Sequence, residues 1–233
     1  MDIDSFLDLA QRRRSIRRFK PDPVPDEHVD KVLEATRWAA SGANSQPWDF
    51  VVVKDPDQKK AIADIFVEAG RHSREVDKRF PFGPDAHQVE KLVGAPVLIA
   101  VCGDPRFKEF YPLSARRDQI FYVSLGAAMQ QLHLAAAALG LASCWGTVNE
   151  QTEAGLKGLL GIPAHMQVLE VFSLGYPAYV PGAGYRRDLA AMTHKGRFDA
   201  ARMRTDADLE ELMAKRARPD IYSSVRDGGA RGS

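Results

Sequence analysis

Hydrophobic positions recur with helical spacing from the start of the chain. Ile3, Phe6, Leu7 and Leu9 predict a short helix with Asp4 or Ser5 near its cap. Pro21, Pro23 and Pro25 then impose an extended path. Asp26, read as an N-cap, opens a helix whose apolar face is Val29, Val32, Leu33, Ala35, Thr36, Ala39 and Ala40, stopped at Ser41-Gly42. Trp48 to Lys54, with Val51, Val52 and Val53, predicts a buried strand. Ala61, Ile62, Ile65, Phe66 and Ala69 share one face of the next helix. From Gly70 to Glu90 the pattern dissolves into charges and turn residues, the composition of a lid or binding loop.

Pro96 to Gly103 predicts a second buried strand, followed by an irregular stretch containing Phe107, Phe110 and Tyr111. A long helix is expected from Ser114 to Leu139. Its middle, Val123 to Leu139, carries so few charges that both faces are expected to be buried, and Gly140 suits its end. Leu141 to Val148 reads as strand or loop, Glu150 to Leu160 as a helix ended by Gly161, and Val168 to Leu174 as a third clear strand closed by Gly175-Tyr176-Pro177. Ala201 to Ala217 could form a polar helix, and the Gly-rich Asp227 to Ser233 is expected to be disordered. The organisation is one domain over residues 1–200 and a charged tail over 201–233, without internal repeats. Strand–helix alternation by itself suggests a parallel, doubly wound sheet.

Composition narrows the class. The 233 residues are 45% hydrophobic and 27% charged, which is globular rather than disordered. Lys+Arg 32 against Asp+Glu 31 leaves no basic excess of the kind a nucleic-acid binder carries. The apolar runs Ala95–Cys102 and Leu132–Leu141 are well short of the roughly 20 residues that span a bilayer. The acidic start Met1-Asp2-Ile3-Asp4 does not read as a signal peptide. Cys102 and Cys144, each in an apolar run, do not form a secreted disulfide framework, so a cytoplasmic location is expected.

The chain has no G-x-G-x-x-G, G-x-x-x-x-G-K-[ST], H-E-x-x-H, C-x-x-C or G-x-S-x-G motif, and its six histidines lack metal-ligand spacing. No metal site is expected. The informative segment is Arg12 to Lys20, with six cations in nine positions. Ser15, Ile16 and Phe19 interrupt what would otherwise be a solvated charged face. Arginines with a nearby hydroxyl suit a phosphate, which takes forked donors and a small neutral donor. The second segment is Ser41-Gly42-Ala43-Asn44-Ser45-Gln46-Pro47-Trp48, a turn offering the amides of Asn44 and Gln46.

In this order, Arg13-Arg14-Ser15-Ile16-Arg17 and Ser41 to Trp48 resemble the nitroreductase family of FMN-dependent oxidoreductases. Ala137-Ala138-Leu139-Gly140-Leu141, Gly161-Ile162-Pro163, Leu174-Gly175-Tyr176-Pro177 and Arg186-Arg187 strengthen the resemblance, which covers residues 5–200. It implies an α+β fold with a mostly antiparallel central sheet flanked by helices, in place of the parallel sheet. It also implies an intertwined homodimer with FMN at the subunit interface. The 114–139 helix would supply much of the subunit contact, and the C-terminal segment would wrap the partner.

The same resemblance implies the site. Arg13 would pair with the FMN phosphate, and Arg14 and Ser15 would contact phosphate, ribityl or ring-edge atoms. Arg17 would lie near flavin N1 and O2, where reduction leaves negative charge. Asn44 would bond the pyrimidine side, and Trp145, Gly146 and Thr147 the opposite edge, with Thr147 donating toward N5. Arg186, or else Arg187, would complete the phosphate site. Hydride would pass from NAD(P)H through the flavin to a small electron-poor acceptor such as a nitroaromatic or quinone, in a ping-pong cycle with no catalytic side chain. Phe107, Phe110, Tyr111 and parts of 70–90 are candidates for the substrate pocket.

Two specialised chemistries of the superfamily stand beside this one. Reductive dehalogenation of halotyrosines fits the Ser-Gly-Ala turn and Thr147, but Ala61 to Gly94 holds no tyrosine for a substrate-gripping lid. Oxidative fragmentation of flavin to the lower ligand of cobalamin ranks lower, because Arg13–Arg17 looks more like ordinary nitroreductases. Outside the family, Arg12–Lys20 could be an arm for nucleic acid or another anion, or the chain could store or sense flavin with little turnover.

Overall fold

The computed structural model describes residues 2–76, 85–110, 116–179 and 186–216, except for the side chains of Phe110 and 213–216. The chain begins with α1 (Ile3–Arg12), capped by Asp2, whose carboxylate accepts the Ser5 amide at 2.7 Å. The cap is therefore earlier than Asp4 or Ser5. In α2 (Asp26–Arg37) the N-cap is Pro25. Asp26 lies inside the first turn and its carboxylate is paired with Lys54 instead of a helix amide. The helix also stops before Ser41-Gly42, closing on Trp38 with Ala39 N–H bonded to the Thr36 carbonyl.

Four strands follow the three valine-rich runs and the ambiguous 141–148 segment: β1 (Trp48–Val53), β2 (Val97–Gly103), β3 (Ala142–Thr147) and β4 (Gln167–Gly175). They form one sheet in the order β1-β2-β4-β3 with every neighbouring pair antiparallel, so the parallel sheet suggested by alternation is not the one formed. β2 is buried along its whole length, as a central strand covered on both faces must be.

One face of the sheet packs on α3 (Pro56–Val76), α4 (Asp85–Val93) and α6 (Glu150–Leu160) through Ile62, Phe66, Leu92 and Leu156. The segment read as a charged loop is therefore helix at both described ends, in α3 up to Val76 and in α4 from Asp85. The expected lid tip at 77–84 lies outside the described residues. The other face packs on α2 and α5 (Arg117–Ala138) through Val32, Leu132, Ala136 and Phe172. Within one chain α5 buries one face only. Phe121, Leu125, Ala128 and Leu132 point inward, while Tyr122 and Val123 are exposed, so the expected burial on both faces is not met within the chain.

Two positions dictate close approach. A Cβ on Gly103 would meet Phe121 Cζ at 2.7 Å and Leu125 Cδ1 at 2.8 Å, so only glycine lets α5 lie down on the end of β2. In β4 the register slips between Val101 and Cys102, leaving Leu169 as the extra residue. The slip turns Leu169 toward Phe121 and Leu125 while Val168 stays in the opposite core. Beyond β4, described residues form α7 (Leu189–Met192) and α8 (Asp206–Arg216), so the polar helix expected from Ala201 begins later. Residues 227–233 lie outside the described residues.

Candidate functional site

β3 is an edge strand, and the basic segment runs along it. Ser15 forms a parallel bridge with Ser143, and the Ile16 amide donates to the Ser143 carbonyl at 3.3 Å. The segment stays extended to Lys20, whose amide donates to the Tyr176 carbonyl at 2.9 Å, while the Arg18 carbonyl accepts from Ala178 at 3.1 Å. Ile16 is buried, so it anchors the segment and leaves its arginines at the rim.

Two cavities flank this edge. The first, about 460 Å³, is lined by Arg12, Arg13, Arg14, His133, Ser143 and Tyr179 among others. Arg13 is half-buried at the end of α1. Burial lowers its affinity for its proton, and the positive charges of Arg186 and Arg14 lower it further. Arg14 is held by backbone, donating to the carbonyls of Gln11 and Arg13. At the cavity floor His133 Nδ1 lies 2.6 Å from Ser143 Oγ, and its ring packs on Phe172 and Trp145.

The second cavity, about 280 Å³, is lined by Arg17, Phe66, Gln88, Lys91, Trp145, Gly146 and Thr147 among others. Trp145 is 45% exposed although its ring leans on Phe172 and His133, so a large flat apolar surface faces outward. Gly146 faces the α3–α4 side, where an added Cβ would meet Lys91 Nζ and Phe66 Cε1, each at 3.3 Å. Thr147 pairs with Glu170 across the β3–β4 ladder. Burial pushes the Glu170 carboxyl up to about 7, against the pull of Thr147 and Lys91.

The structure thus brings Arg13, Arg14 and Arg186 together, and Arg17 with Trp145, Gly146 and Thr147, on one strand edge; Ser15 is exposed between the groups. Asn44 is not among the residues lining either cavity. It occupies a short turn, Gly42–Asn44, whose Ala43, Asn44 and nearby Gln46 all have positive φ. That turn is tied to α5 by Gly42 N–H donating to Ser124 Oγ at 3.0 Å. Phe107 lies in the Pro105–Phe110 turn; the Phe110 side chain and Tyr111 lie outside the described residues. Lys91, Gln88 and Glu170 escaped sequence reading. Glu170 alone left a signal, as a charge inside the apolar run Val168–Leu174. Among the described residues, no group of three potential ligands is arranged for a metal ion, and no helix is long and apolar enough to cross a membrane.

Comparison with known proteins gives a match to the family model described as "Nitroreductase family" over residues 10–176. A protein of Archaeoglobus fulgidus named "Putative NADH dehydrogenase/NAD(P)H nitroreductase" is 33% identical over 177 residues, covering 75% of this chain and 87% of that protein. Iodotyrosine deiodinase 1 of Rattus norvegicus is 32% identical over 187 residues, covering 76% of this chain. This chain spans 64% of the length of that deiodinase. The structure of an FMN-dependent nitroreductase from Clostridium difficile superposes with a TM-score of 0.63 at 24% identity, covering 82% of this chain and 99% of that one.

Proposed function

The chain belongs to the nitroreductase family, and from that premise we propose that it is an FMN-dependent oxidoreductase that passes hydride from NAD(P)H to a small electron-poor acceptor. The observation that carries the reading is the convergence of Arg13 and Arg186. These cations come from opposite ends of the domain, and each repels the other in the protein alone. Like charges held together at a partly buried rim are stabilised by a dianion between them. The donor set therefore fits a phosphate at one end of the β3 edge. The exposed Trp145, with Gly146, Thr147 and Arg17, fits a flat ring system at the other.

FMN, when bound, supplies two-electron hydride chemistry at N5. The chain's own residues orient and stabilise. Arg13, Arg14 and Arg186 would hold the phosphate, Ser15 would donate from the segment between, and Arg17 would offset negative charge on the reduced ring. Thr147 would donate toward the ring through its amide or hydroxyl. Trp145 supplies apolar surface and excludes water from the ring edge. No side chain needs to move a proton during the hydride step.

A second subunit completes the reading. The exposed Tyr122 and Val123 on α5 give an apolar face for another copy of the chain. Asn44, which lines neither of the two cavities of its own chain, would reach the pyrimidine side from the partner. We assign the flavin unit to residues 1–200 and contact with the neighbour to the described part of the tail, 201–216. Two buried free thiols, Cys102 and Cys144, accord with a reducing, cytoplasmic setting.

An absorbance spectrum of the purified protein, recorded before and after anaerobic NADPH or NADH, tests the proposal. Flavin absorbance that bleaches and then recovers on adding a nitroaromatic or quinone supports it. A colourless protein that takes up no added FMN removes it. Identity to the rat deiodinase supports a second reading, reductive dehalogenation. Iodide release from iodotyrosine by the dithionite-reduced protein would favour that chemistry over the first.

A further inference from the structure

Glu170 places a carboxyl inside the apolar run of β4, where binding of FMN has no use for it. It stands directly opposite Thr147 in the antiparallel β3–β4 ladder. Residues so paired share a face of the sheet, with Cβ atoms about 4.5–5.5 Å apart. Thr147 is exposed at the strand edge and Glu170 is half-buried behind it. The Oε2 atom of Glu170 is buried with no hydrogen-bond partner among the described residues. A carboxylate with a bare buried oxygen is costly, whereas the neutral acid avoids that cost and carries a proton it can give.

Two cavities meet at this pair. The cavity that holds Trp145 and Gly146 is lined also by Thr147 and Asn149. A further cavity, of about 530 Å³, is lined by Thr147, Asn149, Glu170, Tyr122 and Gln167 among others. Thr147 and Asn149 are therefore the wall the two cavities share. Asn149 is committed elsewhere, because its side chain caps α6 and accepts the Thr152 amide at 2.9 Å. Tyr122 is engaged too, its hydroxyl donating to Gln167 at 3.0 Å. The Thr147 hydroxyl, both donor and acceptor, is left to link Glu170 with the Trp145 cavity. Around the carboxyl stand Lys91 of α4, the Cys144 thiol of β3, and Glu150 and Glu153 of α6, the last paired with Lys157 at 2.8 Å. Burial outweighs the attraction of Lys91, so the proton is held up to a pH of about 7.

Resting on the FMN reading above, we propose that Glu170 is a positioning residue that stores the proton the electron acceptor needs and passes it through the Thr147 hydroxyl. Hydride uptake from NAD(P)H needs no proton, but reduction of a quinone does. Two electrons and one hydrogen reach the quinone as hydride, and the oxygen left negative needs a proton to give the hydroquinone. Thr147 gives its hydroxyl proton to that oxygen and takes the Glu170 proton in its place. Glu170 is left as a carboxylate and is reprotonated by water from the 530 Å³ cavity.

FMN-free protein tests the store by itself. Infrared spectra against pH should show a protonated carboxyl that titrates near 7 and is absent from Glu170→Gln. The loaded protein tests its use. Reoxidation of the reduced protein by a quinone is compared with reoxidation by ferricyanide, which takes electrons without protons. General acid catalysis is worth about 10²–10⁴-fold, part of which water replaces. The quinone-to-ferricyanide rate ratio at pH 6 is therefore expected to fall about tenfold in Glu170→Gln. The wild-type ratio declines as pH rises through 7, where the store empties, and the ratio of the variant stays flat. Glu170→Asp restores part of the ratio, and Thr147→Val lowers it as Glu170→Gln does. A wild-type ratio and pH profile in Glu170→Gln overturns the assignment and leaves the flavin reading intact. If that variant does not fold, an unchanged ratio in Thr147→Val overturns it. A wild-type protein that takes up no FMN overturns both.

Discussion

His133 Nδ1 lies 2.6 Å from the hydroxyl oxygen of Ser143, and this contact joins α5 to the strand edge beside the arginine cluster. The imidazole is 4% exposed, and burial, helped by the nearby Arg13 charge, pushes its pKa down to about 4 from an ordinary 6.5. His133 is therefore neutral at physiological pH, with Ser143 as its hydrogen-bond partner.

The first prediction follows from that depressed value. The unfolded chain binds more protons than the native one between pH 6.5 and 4, so the stability from neutral His133 is complete above 6.5 and is lost as pH falls through 4. The loss is about 2–3 kcal/mol. His133→Gln is expected to be less stable at pH 7 but to lose little more on acidification. Urea unfolding of both proteins at pH 7, 5.5 and 4.5 checks it; parallel pH profiles would contradict it.

Glu170 gives the opposite limb. Its native carboxyl titrates at about 7 against an unfolded value of 4.5, so its contribution is complete below 4.5 and lost as pH rises through 7. Because the residue is partly exposed, the discounted effect is about 1–2 kcal/mol. Glu170→Gln keeps the shape and removes the charge. Its stability relative to wild type should rise between pH 5 and pH 8, read by chemical denaturation at both values. A constant difference would place Glu170 in a more solvated setting.

Hydrophobic patterning made the strands legible wherever burial was continuous. Val97–Gly103 and Gln167–Gly175 match apolar runs to within a residue or two because both faces of these central strands are covered. Strand direction was not legible from alternation, because a helix can link antiparallel strands as readily as parallel ones; the motif resemblance supplied the antiparallel arrangement. Helix α4 escaped because only Lys91 and Leu92 are buried, too few to leave an apolar stripe at helical spacing, while the apolar Ala86 and Val89 are exposed. The phosphate end of the site could be read because several cations are adjacent in sequence. Lys91 and Gln88 could not, since each is an ordinary polar residue of a polar helix until the fold sets it behind Gly146.

Gly103→Ala tests the seat of α5. The new methyl would sit 2.7 Å from Phe121 Cζ and 2.8 Å from Leu125 Cδ1, with Leu169 Cδ1 at 3.2 Å behind them. Three neighbours from two elements cannot all withdraw, so overpacking is expected to cost about 1–3 kcal/mol. The urea midpoint should fall with an unchanged slope. A midpoint equal to that of wild type would show that α5 slides freely over β2.

Arg13→Ala separates binding from folding. In the protein alone the Arg13 charge is opposed by burial and by Arg186 and Arg14, so removing it relieves repulsion and should leave the melting temperature of the FMN-free protein unchanged or slightly raised. With FMN the sign reverses. Each charge-assisted hydrogen bond to phosphate is worth roughly 1.5–3 kcal/mol, so FMN affinity should fall by about ten- to a hundredfold per bond lost. Arg13→Lys keeps the charge but loses the forked geometry and should fall between the two. Fluorescence titration with FMN, alongside thermal melts of the FMN-free proteins, reads both effects. A lower melting temperature with unchanged FMN affinity would make Arg13 a structural residue and move the phosphate site elsewhere along the β3 edge.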